Sequence, residues 1–135
     1  DYVDLYLIHA PNDEVPIKET MNAMGYLIKQ GLVRYIGVSN FTTLRLKEAQ
    51  SNSDYPIVTN QVFYNLLVRQ PETDGLVKYC QNNDILITAF RPVERGILTQ
   101  KGIPILDEMC KKYRKTPAQI AINWLISQPK YSCYS

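Results

Sequence analysis

The chain has 135 residues, enough for one ordinary domain or part of a larger one, and 45% of them are apolar, enough for a hydrophobic core. Its net charge of +2 gives no electrostatic drive toward nucleic acid or an anionic membrane, and no apolar run nears the roughly 20 residues of a membrane helix. The three cysteines, Cys80, Cys110 and Cys133, are widely spaced, which is neither a disulfide framework nor a metal-ligand set and suits a reducing, cytoplasmic setting.

The first run, VDLYLI at 3–8, reads as a strand buried on both faces, as in a parallel sheet. His9 follows, then the loop formers Pro11, Asn12 and Asp13. Pro16 suits the first position of a helix, and Ile17, Met21, Met24 and Ile28 recur at helical spacing until Gly31 stops them. A second buried strand is expected at 33–38, closing on Ser39 and Asn40. Thr42 or Thr43 can cap a helix that ends near Gln50.

Asn52, Ser53, Asp54 and Pro56 make a turn before a third strand at 57–62, with Gln61 near its end. Pro71 and Glu72 start one helix that includes Leu76, Val77 and Cys80 and stops near Asn83. A fourth strand, ILITAF, occupies 85–90, and Pro92, Gly96 and Gly102 punctuate a long connection after it. Leu106, Met109, Cys110 and Tyr113 form a helical stripe. Thr116, Pro117 and Gln119 form a capping box for a last helix carrying Ile120, Ala121, Trp124 and Leu125, which Pro129 ends. Residues 131–135 show no readable pattern and are expected to form an unstructured or aberrant tail.

Strands and helices thus alternate, with a strand starting about every 25 to 30 residues, which argues an α/β fold with a parallel sheet and right-handed crossovers. The pattern fits a doubly wound sheet or a slice of an eight-stranded barrel. No Gly-x-Gly-x-x-Gly follows any strand, against a dinucleotide-binding doubly wound fold. A full barrel needs about 250 residues, so four strands are about half of one. The chain starts at Asp1, without Met, directly in a strand-like run and reads as a fragment.

Each expected strand ends in a residue that can hydrogen-bond or stack: His9, Ser39 with Asn40, Gln61, and Phe90 with Arg91. Parallel strands bring such ends to one mouth, where α/β folds place their chemistry.

These residues lie in segments that resemble the aldo-keto reductases: DYVDLYLIHAP (1–11), KQGLVRYIGVSNF (29–41), TNQVFYN (59–65), QPETDGLVKYCQNNDI (70–85), ILITAFRPVERG (85–96) and KTPAQIAINWLISQPK (115–130). The resemblance reaches to about Lys130. It implies a TIM barrel, of which the chain covers strands four to seven, NADPH as cofactor, and a small-molecule aldehyde or ketone as substrate. His9 matches the catalytic-tetrad histidine that orients and polarises the carbonyl. Ser39, Asn40 and Gln61 match residues that hydrogen-bond the nicotinamide carboxamide, and Phe90 matches an aromatic position, commonly Tyr, that stacks on the nicotinamide. Arg91, Pro92, Val93 and Gly96 match the loop that wraps the cofactor pyrophosphate, with Arg95 nearby.

The resemblance also implies groups that no motif here matches. They are the Asp, Tyr and Lys of the tetrad, and the Lys-Ser-type segment that binds the adenosine phosphate. Tyr6 and Lys29 do not sit at matching motifs. The expectation is therefore a fragment of a reductase, inactive alone. The alternative is a half-barrel without catalysis that serves as a binding or interaction module. No residue pattern speaks to oligomeric state, to a metal, or to a nucleic-acid or membrane partner.

Overall fold

The computed structural model describes residues 1–128 and the backbone of Tyr131–Tyr134. Five strands form one sheet: β1 (Val3–Ile8), β2 (Val33–Ser39), β3 (Ile57–Phe63), β4 (Leu86–Phe90) and β5 (Tyr131–Tyr134). Their spatial order is their chain order, and every neighbouring pair is parallel. A doubly wound sheet reverses its order at a switch point, whereas a barrel adds each strand beside the last. The sequential order is barrel winding.

Helices α1 (Ile17–Lys29), α2 (Thr43–Ser51), α3 (Gln70–Thr73) and α4 (Leu76–Asn82) fill the first three crossovers, and α5 (Pro104–Tyr113) and α6 (Pro117–Ile126) fill the last. One sheet face packs on them. Ile36 and Val38 of β2, Ile57 and Val62 of β3, and Ile87 and Ala89 of β4 are buried with Met21, Met24, Leu46, Leu76, Cys80 and Leu125. Burial of each large aliphatic side chain contributes about 1.5–3 kcal/mol. A second cluster, Leu98, Leu106 and Ala121, fastens the connection after β4 to α5 and α6.

The other face carries Leu5 and Leu7, Tyr35 and Gly37, then Thr59, Gln61 and Phe63, then Leu86, Thr88 and Phe90, by the alternation of side chains along paired strands. An extra residue in β3 between the pairs Ile36–Ile57 and Val38–Asn60 sets this phase. Gly37 sits at the bulge. A Cβ there would lie 2.5 Å from Leu7 Cδ2 and 2.6 Å from Thr59 Cγ2, so only glycine lets the three strands close up.

Several expectations need correction. β1 is not buried on both faces: Leu5 is 41% and Tyr6 48% exposed, because β1 lies at the edge of the sheet and is flanked by a strand on one side alone among the described residues. The helix expected from Pro71 to Asn83 is two pieces. Gly75 takes a left-handed backbone (φ 73°) between α3 and α4 and breaks it. The tail expected to be unstructured forms β5, pairing Ile87 with Tyr131 through Phe90 with Tyr134. The edge of β4 offers unpaired backbone groups, and the extended tail satisfies them. Pro129 and Ser135 lie outside the described residues.

Pro16 stands one residue before α1, at its N-cap, rather than at the first helical position. Thr42 caps α2 by accepting the Arg45 N–H. Thr116 and Gln119 make the reciprocal capping box of α6. Cys80 is a buried small hydrophobe, and burial pushes its thiol up to about 12.

Candidate active site

The parallel register lines up the strand ends. Ile8 pairs with Val38, so His9 stands level with Ser39; Ser39 pairs with Gln61, and Gln61 with Thr88. One row across the carboxyl edge therefore reads His9, Ser39, Gln61, Thr88. Two residues further on, Phe63 pairs with Phe90. Three of the four members of that row, His9, Ser39 and Gln61, carry sequence-predicted roles, and register alone brings them level.

Around Ser39 the contacts are dense. Its hydroxyl, on a buried residue, donates to the Gln61 carbonyl at 3.0 Å. The same carbonyl accepts the Asn40 N–H at 2.8 Å. Asn40 holds a left-handed backbone (φ 61°), a conformation Asn tolerates better than most residues, and this turns the chain off β2. Its Nδ2 donates to Ser39 Oγ at 3.0 Å and to the His9 carbonyl at 3.3 Å. The side chain thus ties the ends of β1 and β2 together. Among the described residues, Asn40 Oδ1, the Gln61 carboxamide and the His9 imidazole make no hydrogen bond, and His9 and Asn40 are exposed. These are uncommitted donors and acceptors at one mouth.

Two buried asparagines organise the mouth, and motif reading did not single them out. Asn60 bonds both backbone groups of Phe41, accepting its N–H at 3.4 Å and donating to its carbonyl at 2.9 Å. Asn65 accepts the N–H groups of Leu67 and Val68 at 2.9 Å each, and donates to the Arg91 carbonyl at 2.9 Å and Glu94 Oε2 at 2.6 Å. The only signal in the sequence was a polar residue inside an otherwise apolar run; nothing local tells what such a residue bonds.

Phe90 is half-buried, with Phe63 stacked on it at 5.4 Å between centroids and 10° between planes. The Arg91 guanidinium lies 5.3 Å from the Phe63 centroid and 5.9 Å from that of Phe90. Beyond it the loop is backbone-strained: Arg91, Glu94 and Arg95 have φ of 55°, 47° and 51°, and Gly96 has 93°. Pro92 is buried and Val93 half-buried, packing against Leu98 and its neighbours. Among the described residues no carboxylate pairs with Arg91 or Arg95. A cavity of about 840 Å³ lies among Leu66, Leu98, Leu106, Met109, Ile120 and Trp124 and contains none of the predicted site residues.

The donor set fits a primary amide. Such a group needs both acceptors and a donor, and the Gln61 carboxamide with Asn40 Oδ1 and Ser39 Oγ offers both kinds. No group of three or more His, Cys, Asp or Glu stands close enough to hold a metal among the described residues, and no helix there is long and apolar enough to cross a membrane.

A parallel sheet wound in chain order, with polar groups at its carboxyl edge, is the arrangement of the α/β-barrel proteins. The chain belongs to the aldo/keto reductase family, whose model matches residues 1–134. It is 37% identical, over 92% of its length, to a 9,11-endoperoxide prostaglandin H2 reductase of Trypanosoma cruzi, and covers 43% of that protein. The structure superposes on a thermostable aldo-keto reductase, Tm1743, solved with the inhibitor epalrestat, with a TM-score of 0.94 and 47% identity over 98% of this chain and 48% of that one. It also superposes on an aldo-keto reductase of Klebsiella pneumoniae solved with NADPH, with a TM-score of 0.86 and 30% identity over 100% of this chain and 48% of that one. The chain spans about half the length of the curated relatives it matches.

Proposed function

We propose that this chain forms the nicotinamide and pyrophosphate side of an NADPH-dependent reductase of aldehydes and ketones, with β1 to β4 as barrel strands four to seven. The observation that carries this reading is the single row of His9, Ser39 and Gln61, with uncommitted amide groups beside it. NADPH, when bound, supplies the hydride. The Gln61 carboxamide, Asn40 Oδ1 and Ser39 Oγ hold the nicotinamide amide and so fix which face of the ring meets the substrate. Phe90 gives that ring a flat apolar neighbour. The residues 91–96 receive phosphate charge through backbone N–H groups, Arg91 and Arg95.

His9 donates from its imidazole to the carbonyl oxygen, on which negative charge grows during reduction. A family member also needs the Asp, Tyr and Lys of the tetrad, and in this reading they belong to the half of the barrel that lies outside these residues. The chain alone then binds part of the cofactor and does not turn over, in a cytoplasmic setting.

Fluorescence titration of the 135-residue chain with NADPH, beside a sizing column, tests this. Saturable binding by a folded, defined species is expected. A folded chain that binds no NADPH would overturn the reading that these residues hold the cofactor by themselves.

A further inference from the structure

We infer that Asn65 is a positioning residue for the cofactor loop: it sets the backbone of residues 91–96 and turns the Glu94 carboxylate away from the phosphate it would otherwise repel. The inference rests on the reading that this loop receives the pyrophosphate. Asn65 is fully buried just after β3, and the four hydrogen bonds of its side chain divide cleanly between two loops. Its oxygen accepts two N–H groups of its own loop, from Leu67 and Val68. Its nitrogen donates both protons to the other loop, to the Arg91 carbonyl and the Glu94 carboxylate.

The loop needs such an anchor. Arg91, Glu94 and Arg95 all hold left-handed φ values that non-glycine residues avoid, and such conformations persist only where the surroundings fix them. The two bonds from Asn65 grip the loop at two of those three residues. The bond to Glu94 has a further consequence. Glu94 is the one acidic residue in a stretch that otherwise presents Arg91, Arg95 and the flexible Gly96. A carboxylate free to face the phosphates would cost affinity by like-charge repulsion. Held at 2.6 Å by a buried amide, it is kept on the inner side of the loop.

The test exploits the division of bonds. Asn65→Asp keeps the acceptor for Leu67 and Val68, removes both donors, and sets a second carboxylate against Glu94. In the full chain, the NADPH dissociation constant is expected to rise about tenfold or more. Binding of reduced nicotinamide mononucleotide, which lacks the pyrophosphate, is expected to stay within about twofold of wild type. Adding Glu94→Gln supplies an amide that donates to the new carboxylate, and NADPH affinity is expected to return to within about threefold of wild type. Equal weakening for both probes, or no rescue by Glu94→Gln, would overturn the inference, as would an unchanged NADPH affinity in Asn65→Asp. If Asn65→Asp does not fold, Asn65→Ser carries the test, because it releases both Arg91 and the Glu94 carboxylate: several-fold weaker NADPH binding is expected, and unchanged binding overturns it. Absence of NADPH binding by the wild type is a different result, which removes the reading beneath the inference.

Discussion

The Asn60 side chain stands in for a strand partner of Phe41. Its Oδ1 accepts the Phe41 N–H and its Nδ2 donates to the Phe41 carbonyl, the pair of bonds that another residue of β3 would make through its backbone. The β2–β3 ladder ends at Ser39 and Gln61. Asn60 pins the chain two residues past that end, and Asn40 is left between two fixed points with its side chain over the mouth. Asn60→Ala strands both Phe41 groups in a buried site. It should cost about 2 kcal/mol or more of stability by urea denaturation. A loss within experimental error would show that Phe41 finds other partners.

Gly37 has no room for a methyl group. Its neighbours Leu7 and Thr59 come from the two flanking strands, and the nearest Thr59 carbonyl is backbone, which cannot swing away. Gly37→Ala should destabilise the fold by about 1–3 kcal/mol through overpacking. Denaturation midpoints of the two proteins check this, and an unchanged midpoint would contradict it.

Glu72 gives the fold an acid-sensitive point. Hydrogen bonds from Arg69 hold its carboxyl below the ordinary value of 4.5; partial burial opposes this, and the Tyr64 hydroxyl and the Arg69 charge add to it. A lowered folded pKa means that Glu72 stabilises above its unfolded value, and that this contribution is lost as pH falls through the folded one. Between neutral pH and about pH 3.5, wild type should therefore lose more stability than Glu72→Gln. Equal losses in urea titrations at both pH values would contradict it.

The row of strand ends was legible because it depends on where the strands stop. Runs such as VDLYLI and ILITAF place strands within a residue, and the parallel sheet then brings His9, Ser39 and Gln61 level without any further signal. Three features were not legible, each for a physical reason. The exposure of Leu5 and Tyr6 is set by what lies beside β1, which no local pattern encodes. The strand at Tyr131–Tyr134 is induced by the open edge of β4 rather than by an apolar alternation of its own. The bonds of Asn60 to Phe41 span 19 positions and those of Asn65 to Arg91 and Glu94 span 26 and 29, so only the folded chain shows them.

His9 is exposed at the mouth, and its backbone carbonyl alone is tied to Asn40. Its imidazole is free to meet a substrate oxygen and has no part in holding the amide site. In the enzyme with its whole barrel, His9→Ala should lower turnover by about 10²-fold or more and leave NADPH affinity within about twofold. Equal turnover in both proteins would remove His9 from the chemistry.

The most direct measurement is the NADPH dissociation constant of Gln61→Ala against wild type. The Gln61 backbone carbonyl, which receives Ser39 Oγ and the Asn40 N–H, survives the substitution, so the turn off β2 keeps its anchor and only the carboxamide is lost. If that carboxamide holds the nicotinamide amide, affinity should fall about tenfold. An unchanged constant, in a variant that folds as wild type does, would mean that the row of strand ends does not hold the cofactor.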